Sequence, residues 1–360
     1  MSTRQLVTVS RSGSFKSCRK RHWFEYEIKL RRITDSRALR MGSAYHVALD
    51  ILKKTGILED AIAAAREYYD LAPDEVDAYE WEIERETVAA LVSGYHWRWH
   101  GDNMRIIASE QSFRIPLTNP KTGSRSVLFD LAGQIDGIVE LEDGRLAVLE
   151  HKLYSDDLND DSAFWRRLQL DLQVSVYVHA ARKRGYDVAT VLYDVTRKPT
   201  IRPEKVPLRD TDGNKIVLDT NGERVMNANG KPRQTGDTEK GYVLQSSPQT
   251  PEQWSEKLIN DIGERPQFYY ARREIPRLDQ EIDECLDELW EIQQMIRDAQ
   301  RNNRWYRTVS KDTCSYCAYF GLCSTKYDPK TSLVPEGFQY LTNPHPELEL
   351  VGNDEAAITN

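Results

Sequence analysis

Two apolar runs separated by a short acidic turn stand out near the middle of the chain. Gly133–Leu141 and Arg145–Leu153 are rich in Ile, Val, Leu and Ala, and Glu142-Asp143-Gly144 lies between them. Such runs around a turn ending in Gly predict a β-hairpin. Asp136 and Glu150 are equidistant from Asp143, so a loop centred there sets the two carboxylates roughly opposite each other. Side chains alternate faces along a strand, so Lys152 shares a face with Glu150. Charges in apolar strands are costly unless paired or metal-bound. A salt bridge on an exposed sheet face is the bland alternative at this point.

The flanking pattern is largely helical. Arg40–Lys54 has helical spacing, with Tyr45, Leu49 and Leu52 on one side and His46 beside that stripe. Glu59–Arg105 continues helical; His96 and His100 are four apart, but the Glu of an HExxH zinc motif is missing. Ile106–Leu117 predicts a strand. Asp161–Arg184 predicts a single helix ended by Gly185, with Phe164, Leu168, Leu172 and Val176 on its apolar face. A second stripe, Trp165, Gln169, Gln173 and Tyr177, carries two amides and a phenol in line. Tyr186–Thr196 predicts a strand. Arg197–Gly241 repeats turn signals (Asp212-Gly213, Asn221-Gly222, Asn229-Gly230) and reads as an inserted hairpin or flap, with no convincing internal repeat. Pro251–Gln267 and Pro276–Arg301 return to helix. The second carries Leu278, Ile282, Leu286, Leu289, Gln293 and Ile296 in one stripe, with Cys285 packing beside it.

Composition narrows the class. The 360 residues suit one large or two modest domains, and 39% hydrophobic with 29% charged residues fits a soluble globular protein. No apolar run approaches the roughly 20 residues of a membrane span, and MSTRQLVTVSRSGSF lacks the apolar stretch of a signal peptide. A cytoplasmic protein without a membrane partner is the expectation. The net charge of −8 argues against a protein that simply coats nucleic acid. The Arg4–Arg40 segment is nevertheless strongly basic, which leaves a local surface able to hold a phosphate backbone. There is no GxxxxGK[ST] loop, which weighs against an NTPase motor.

Five cysteines in such a chain suggest ligation more than disulfides. Cys314, Cys317 and Cys323 bring three thiols together; the fourth ligand is Cys18 or Cys285, and Cys18 lies among cations that favour a thiolate. One compact trio plus a distant cysteine suits an iron–sulfur cluster better than zinc, which remains the alternative. Asp136 and Glu150 suit Mg²⁺ or Mn²⁺, and Lys152 could serve an attacking water or offset charge at a phosphate.

At this point the chain resembles a known superfamily. Asp-x(13)-Glu-x-Lys on a hairpin is the arrangement of PD-(D/E)XK nucleases. GQID-x(13)-EHK resembles the RecB-type version of the motif, Gln173-x-x-x-Tyr177 its QxxxY motif, and His46 in GSAYHVAL its upstream His motif. Cys18 with CxxC-x(5)-C resembles the cluster-binding form in AddB and in RecB-like CRISPR-associated exonucleases.

The resemblance implies an α/β fold: a restriction-endonuclease-like core with a central mixed sheet flanked by helices, plus helical additions and a C-terminal iron–sulfur region. One domain over 1–330 would comprise a helical region (41–105), a nuclease core (106–196), the insertion (197–245) and a C-terminal helical and cluster region (250–330), followed by an acidic flexible tail (331–360). Asp136, Glu150, Lys152, Gln173 and Tyr177 would be catalytic. His46, Asp136, Glu150 and the backbone carbonyl of His151 would hold one or two metal ions, with Glu110 as a further acid. His151 is a departure, since Tyr or an apolar residue is common there. Cys18, Cys314, Cys317 and Cys323 would hold a [4Fe-4S] cluster. Arg19, Lys20, Arg21, Gln173 and Tyr177 would touch DNA. The expected activity is a Mg²⁺- or Mn²⁺-dependent DNA exonuclease acting on single-stranded or resected ends in recombination, repair or phage DNA processing, with a helicase or recombination protein as a possible partner. The alternatives are a non-catalytic DNA-end scaffold and a CRISPR spacer-acquisition nuclease.

Overall fold

The computed structural model describes residues 4–345 and Leu348. A mixed six-stranded sheet forms the centre: β1 (Gln5–Val7), β2 (Arg105–Thr118), β3 (Arg125–Glu140), β4 (Leu146–Tyr154), β5 (Val188–Arg197) and β6 (Tyr270–Pro276). The order is β1-β3-β4-β5-β6, and β2 pairs with β3. β1 runs parallel to β3 and β4 parallel to β5, while the β2–β3, β3–β4 and β5–β6 pairs are antiparallel. This is the mixed α/β architecture expected from the sequence.

β3 is the hub because both of its edges are used. One edge holds β2 along most of its length. The other is divided: β1 takes Phe129–Leu131 and β4 takes Gly137–Glu140. Asp136 lies in the gap between these two ladders. The turn between β3 and β4 closes as the sequence requires, with Leu141 donating to Arg145 and Gly144 to Leu141. Gly144 adopts φ 82°, a conformation costly for any residue with a Cβ.

Helices cover the two faces of the sheet with separate cores. On one face, α1 (Val9–Ser17), α5 (Ala163–Leu168), α6 (Leu172–Lys183) and α8 (Asp279–Asn302) share a cluster that includes Val148, Tyr193, Val176, Leu289 and Ile296. A second cluster joins α2 (Arg37–Thr55), α3 (Leu58–Glu67), α4 (Ala78–Arg98) and α7 (Pro251–Glu264) through Tyr45, Leu91, Trp254 and Tyr270. Strand alternation feeds both sides: Val148 faces the first cluster, while neighbouring Leu149 joins Val139, Ala147 and Leu192.

Several elements differ from the sequence reading. The helix expected over Asp161–Arg184 is two helices, because Asp171 leaves helical geometry (ψ 125°) and caps α6 by accepting from Gln173 N. That break takes Gln169 out of line with Gln173 and Tyr177. The helical region after Glu59 is likewise broken between Glu67 and Ala78. Pro276 ends β6 and does not open the last helix; Leu278 is an exposed N-cap at 71% exposure, outside the apolar stripe. β1 and β6 were not anticipated, since each is short and docks by edge pairing. Part of the expected flexible tail is also ordered: Phe338–Tyr340 pairs with Leu30–Arg32. Residues 349–360 lie outside the described residues.

The insertion contains a repeat that the sequence reading missed. Three tight hairpins follow one another, closed by the bridges Arg209–Lys215, Leu218–Arg224 and Met226–Pro232. Each has a positive-φ glycine at its tip: Gly213, Gly222 and Gly230. Ile216 N–H donates to the Leu208 carbonyl and Val225 N–H to that of Val217, which extends the first and second hairpins by one rung each.

Beside the N-terminus, His22 is fully buried against Phe15 and Trp305, and its Nε2 accepts from Arg11. Burial first, then the charge of Arg11, push its pKa down to about 2. Folding therefore favours neutral His22. Its contribution is complete above the unfolded value near 6.5 and is lost as pH falls below that, by roughly 1.4 kcal/mol per pH unit. Urea denaturation at pH 7 and pH 5 should show this acid destabilisation, and His22→Gln should flatten the pH slope by about one proton.

Candidate active site

The site begins where the β3–β4 ladder stops. Its last paired residues are Gly137 and Leu149. At the next step the backbone N–H of His151 donates to Asp136 Oδ2 at 2.7 Å. A side-chain carboxylate has replaced the backbone carbonyl. Extending the register puts Asp136 across from Glu150, as the spacing about Asp143 required. The other Asp136 oxygen, Oδ1, lies 3.5 Å from His46 Nδ1. Burial alone would raise the Asp136 carboxyl, but His46, through its charge and hydrogen bond, and Lys53 outweigh it and hold the group well below the usual carboxylate range.

α2 supplies more than the expected His46. Tyr45 OH bonds Thr196 Oγ1 at 2.6 Å and fixes the helix over the end of β5. Two turns beyond His46, Lys53 Nζ donates to the Asp136 carbonyl at 2.8 Å and stands 3.5 Å from Glu110. Asp50, one turn beyond His46, accepts from Ser109 Oγ. The sequence reading missed Lys53 and Asp50; the available signal was their spacing on the face of His46. Glu110 itself lies across from Asp136 in the β2–β3 register and is bonded by Gln134. Its φ of 48° is strained for a residue with a Cβ. Burial and the neighbouring Asp136 raise its carboxyl above the ordinary value, against the pull of Lys53.

Glu150 and Lys152 project on the side of α6. They are in direct contact as an ion pair. Gln173 donates from Nε2 to Glu150 Oε1 at 2.7 Å and to Tyr177 OH at 2.9 Å. Gln173 is placed by Asp171 below it and by Arg277, which donates to the carbonyls of Leu168 and Asp171 and to Ser175. Arg277 is a buried cation that the sequence reading passed over. Burial, reinforced by Asp136 and opposed by Lys152, pushes the Glu150 carboxyl up to about 7. Its Oε2 is buried without a hydrogen-bond partner. Lys152 is raised because Glu150 outweighs the cost of its burial.

His151 points to the opposite side of the sheet. Its ring is 1% exposed, 3.7 Å from Asp194, and burial keeps it neutral. Asp194 is held in turn by Tyr95 OH at 2.7 Å and Arg272 Nε at 2.8 Å. His151 thus contributes its backbone to the site and its ring to a buried polar network. The expected residues Asp136, Glu150, Lys152, Gln173, Tyr177, His46 and Glu110 are therefore brought together, with Lys53 added.

The two carboxylates, including the orphaned Glu150 oxygen, are hard oxygen donors of the kind that suit Mg²⁺ or Mn²⁺. They are at present paired with His46, Lys152 and Gln173. Among the described residues no three His, Cys, Asp or Glu side chains converge closely enough to hold a metal ion.

The cysteines lie elsewhere. Cys18, Cys314, Cys317 and Cys323 are free thiols that line one cavity of about 200 Å³, with Lys20, Arg21 and Phe24 in its walls. Cys18 Sγ accepts from the Thr308 N–H at 3.4 Å. Cys285 is absent from this cavity and is buried in the sheet core, where it packs as expected. Arg19, Lys20 and Arg21 flank the thiols, not the carboxylates: Arg21 pairs with Glu25, and Lys20 sits over Trp23.

Comparison with known families places this geometry. The chain matches the family model described as the PD-(D/E)XK nuclease superfamily over residues 6–324. The chain belongs to the PD-(D/E)XK nuclease superfamily. A metal-dependent nuclease is the activity such membership implies, with DNA as substrate. No curated protein matches the sequence. Among solved structures, one titled "Crystal structure of SSO0001" is similar at 10% identity, covering 79% of this chain and 85% of that one with a TM-score of 0.28. Among the described residues no helix is long and apolar enough to cross a membrane.

Gly133 of the GQID motif has a steric role in this nuclease. A Cβ there would lie 2.7 Å from the Phe113 ring and 3.6 Å from Tyr177. Gly133→Ala should displace the Phe113 ring, which meets Tyr177 edge-on, cost about 1–3 kcal/mol in thermal or urea stability, and lower nuclease activity through the Tyr177–Gln173–Glu150 chain.

Proposed function

We propose that the protein is a Mg²⁺- or Mn²⁺-dependent DNA exonuclease of the RecB type that acts on single-stranded or resected ends during recombination, repair or phage DNA processing. The observation that carries this reading is the single constellation formed by Asp136, Glu150, Lys152, Gln173 and His46 on β3, β4, α6 and α2.

In this reading Asp136, Glu150 and the His151 carbonyl hold the ions, with His46 and Glu110 on the Asp136 side. The ions would supply an activated water and charge stabilisation at the scissile phosphate. Lys152, released from Glu150, orients the attacking water or offsets charge on the phosphate. Gln173 fixes the Glu150 carboxylate and lends its amide, with the Tyr177 phenol, to the DNA. Lys53 braces the backbone at Asp136 and moderates the crowding of Asp136 and Glu110.

The second element of the proposal is a [4Fe-4S] cluster on Cys18, Cys314, Cys317 and Cys323, joining the N-terminal segment to the C-terminal region. Four thiols on one cavity, a backbone N–H directed at one sulfur, and cations in the walls support it.

Purified protein with Mg²⁺ or Mn²⁺ should degrade DNA labelled at either end, and the products should show the polarity. Asp136→Ala or Lys152→Ala should lower the rate by at least about 100-fold while leaving the thermal transition in place. Wild-type rates in both variants would overturn the assignment. Anaerobically purified protein should contain iron, and Cys317→Ser should lose it; zinc without iron would replace the cluster with the zinc alternative.

A further inference from the structure

The stretch from Arg297 to Lys311 carries Arg297, Arg301, Arg304, Arg307 and Lys311 against the single acid Asp298, in a chain of net charge −8. α8 ends at Asn303 in a left-handed turn, and the chain then crosses beside the N-terminal segment, where Lys20 N–H donates to the Tyr306 carbonyl at 3.0 Å. This crossing opens a groove of about 780 Å³. Its walls combine three cations, Lys20, Arg307 and Lys326, with three aromatic residues, Trp305, Tyr306 and Tyr327. Cys323 is the thiol it shares with the cysteine cavity.

Two features make this wall unusual. One ring is presented to solvent: Tyr306 is 57% exposed, beside Val309 at 77%, while Trp305 and Tyr327 are half-buried in the wall. The cations also lack carboxylate partners. Arg19 lies over the Tyr306 ring at 4.6 Å and Lys20 over Trp23 at 3.5 Å, while Arg307 and Lys326 form no ion pair among the described residues. Three cations this close, none of them in an ion pair among the described residues, leave a positive field at the groove.

We infer that this groove is a binding site for single-stranded DNA, separate from the Asp136–Glu150 centre. A single strand offers both phosphates for the cations and unstacked bases for the exposed Tyr306 ring, with Trp305 and Tyr327 as the apolar floor. A duplex keeps its bases stacked inside, and an acidic peptide would use the charges but not the rings. The inference rests on the reading of the chain as a DNA nuclease and gives that enzyme a second hold on its strand, on the cysteine side of the molecule.

The test uses the full-length protein and a labelled 20-nucleotide oligothymidylate in EDTA, read by fluorescence polarisation. The combined substitution Tyr306→Ala and Arg307→Ala should weaken binding at least tenfold and reduce the slope of log affinity against log salt by about 0.7 for the lost charge. Tyr306→Phe should retain wild-type affinity. Cleavage of a thymidine dinucleotide, too short to span both sites, should be unchanged. Affinity within twofold of wild type and an unchanged salt slope would overturn the site, as would a loss confined to duplex or to a protein ligand. Failure of the nuclease reading is separable: it would appear as no cleavage by wild type with either metal, whatever the oligothymidylate result.

Discussion

The hydrogen bond from the His151 backbone to the Asp136 carboxylate is the constraint on which the site depends. It ends the β3–β4 ladder by satisfying a strand N–H with a side chain. Asp136 is thereby fixed in the gap between β1 and β4 on the edge of β3. A buried carboxylate is costly in such a place. It is tolerated because a backbone N–H, His46 and Lys53 all favour its charged form. Glu150 has the opposite balance: burial and the nearness of Asp136 raise its carboxyl, and Lys152 and Gln173 only partly relieve this. The two acids therefore differ in character although they sit across from each other.

The sheet sorts functions by face. Glu150 and Lys152 emerge beside α6, whose register is fixed by Asp171 and by the buried Arg277. His151, between them in sequence, faces Asp194, Tyr95 and Arg272 on the opposite side. The strand that bears Glu150 and Lys152 is thus anchored from behind by a buried polar network. Separate cores on the two faces support this division.

The cysteine region is built on different principles. It contains little sheet and draws on both ends of the chain, with Phe24 and Tyr319 stacked at its centre and Tyr319 OH bonded to the Leu30 carbonyl. Arg19 and Lys20 meet rings there, and Arg21 pairs with Glu25, where the cations of the catalytic side meet the site's own acids. One chain therefore carries an acidic, metal-suited centre and a basic, aromatic surface, consistent with a net negative protein that handles a polyanion.

Much of the site was legible in the sequence because it follows period-two and helical spacing. The symmetry of Asp136 and Glu150 about Asp143 needed only the turn, and Gln173 with Tyr177 needed only one helical turn. The cysteine spacing anticipated that Cys314, Cys317 and Cys323 line one cavity, although among the described residues they do not converge into a metal-holding group. What sequence spacing could not show was how distant elements meet. Lys53 reaches Asp136 across the sheet, Arg277 pins a helix 102 residues before it, and Glu110 adopts a strained backbone beside a carboxylate. The short edge strands and the break at Asp171 escaped pattern reading because pairing and capping, not periodicity, decide them. Local periodicity determined the hairpin and the residues on it. Tertiary packing decided which charges meet, because burial and long-range contacts set the cost of each.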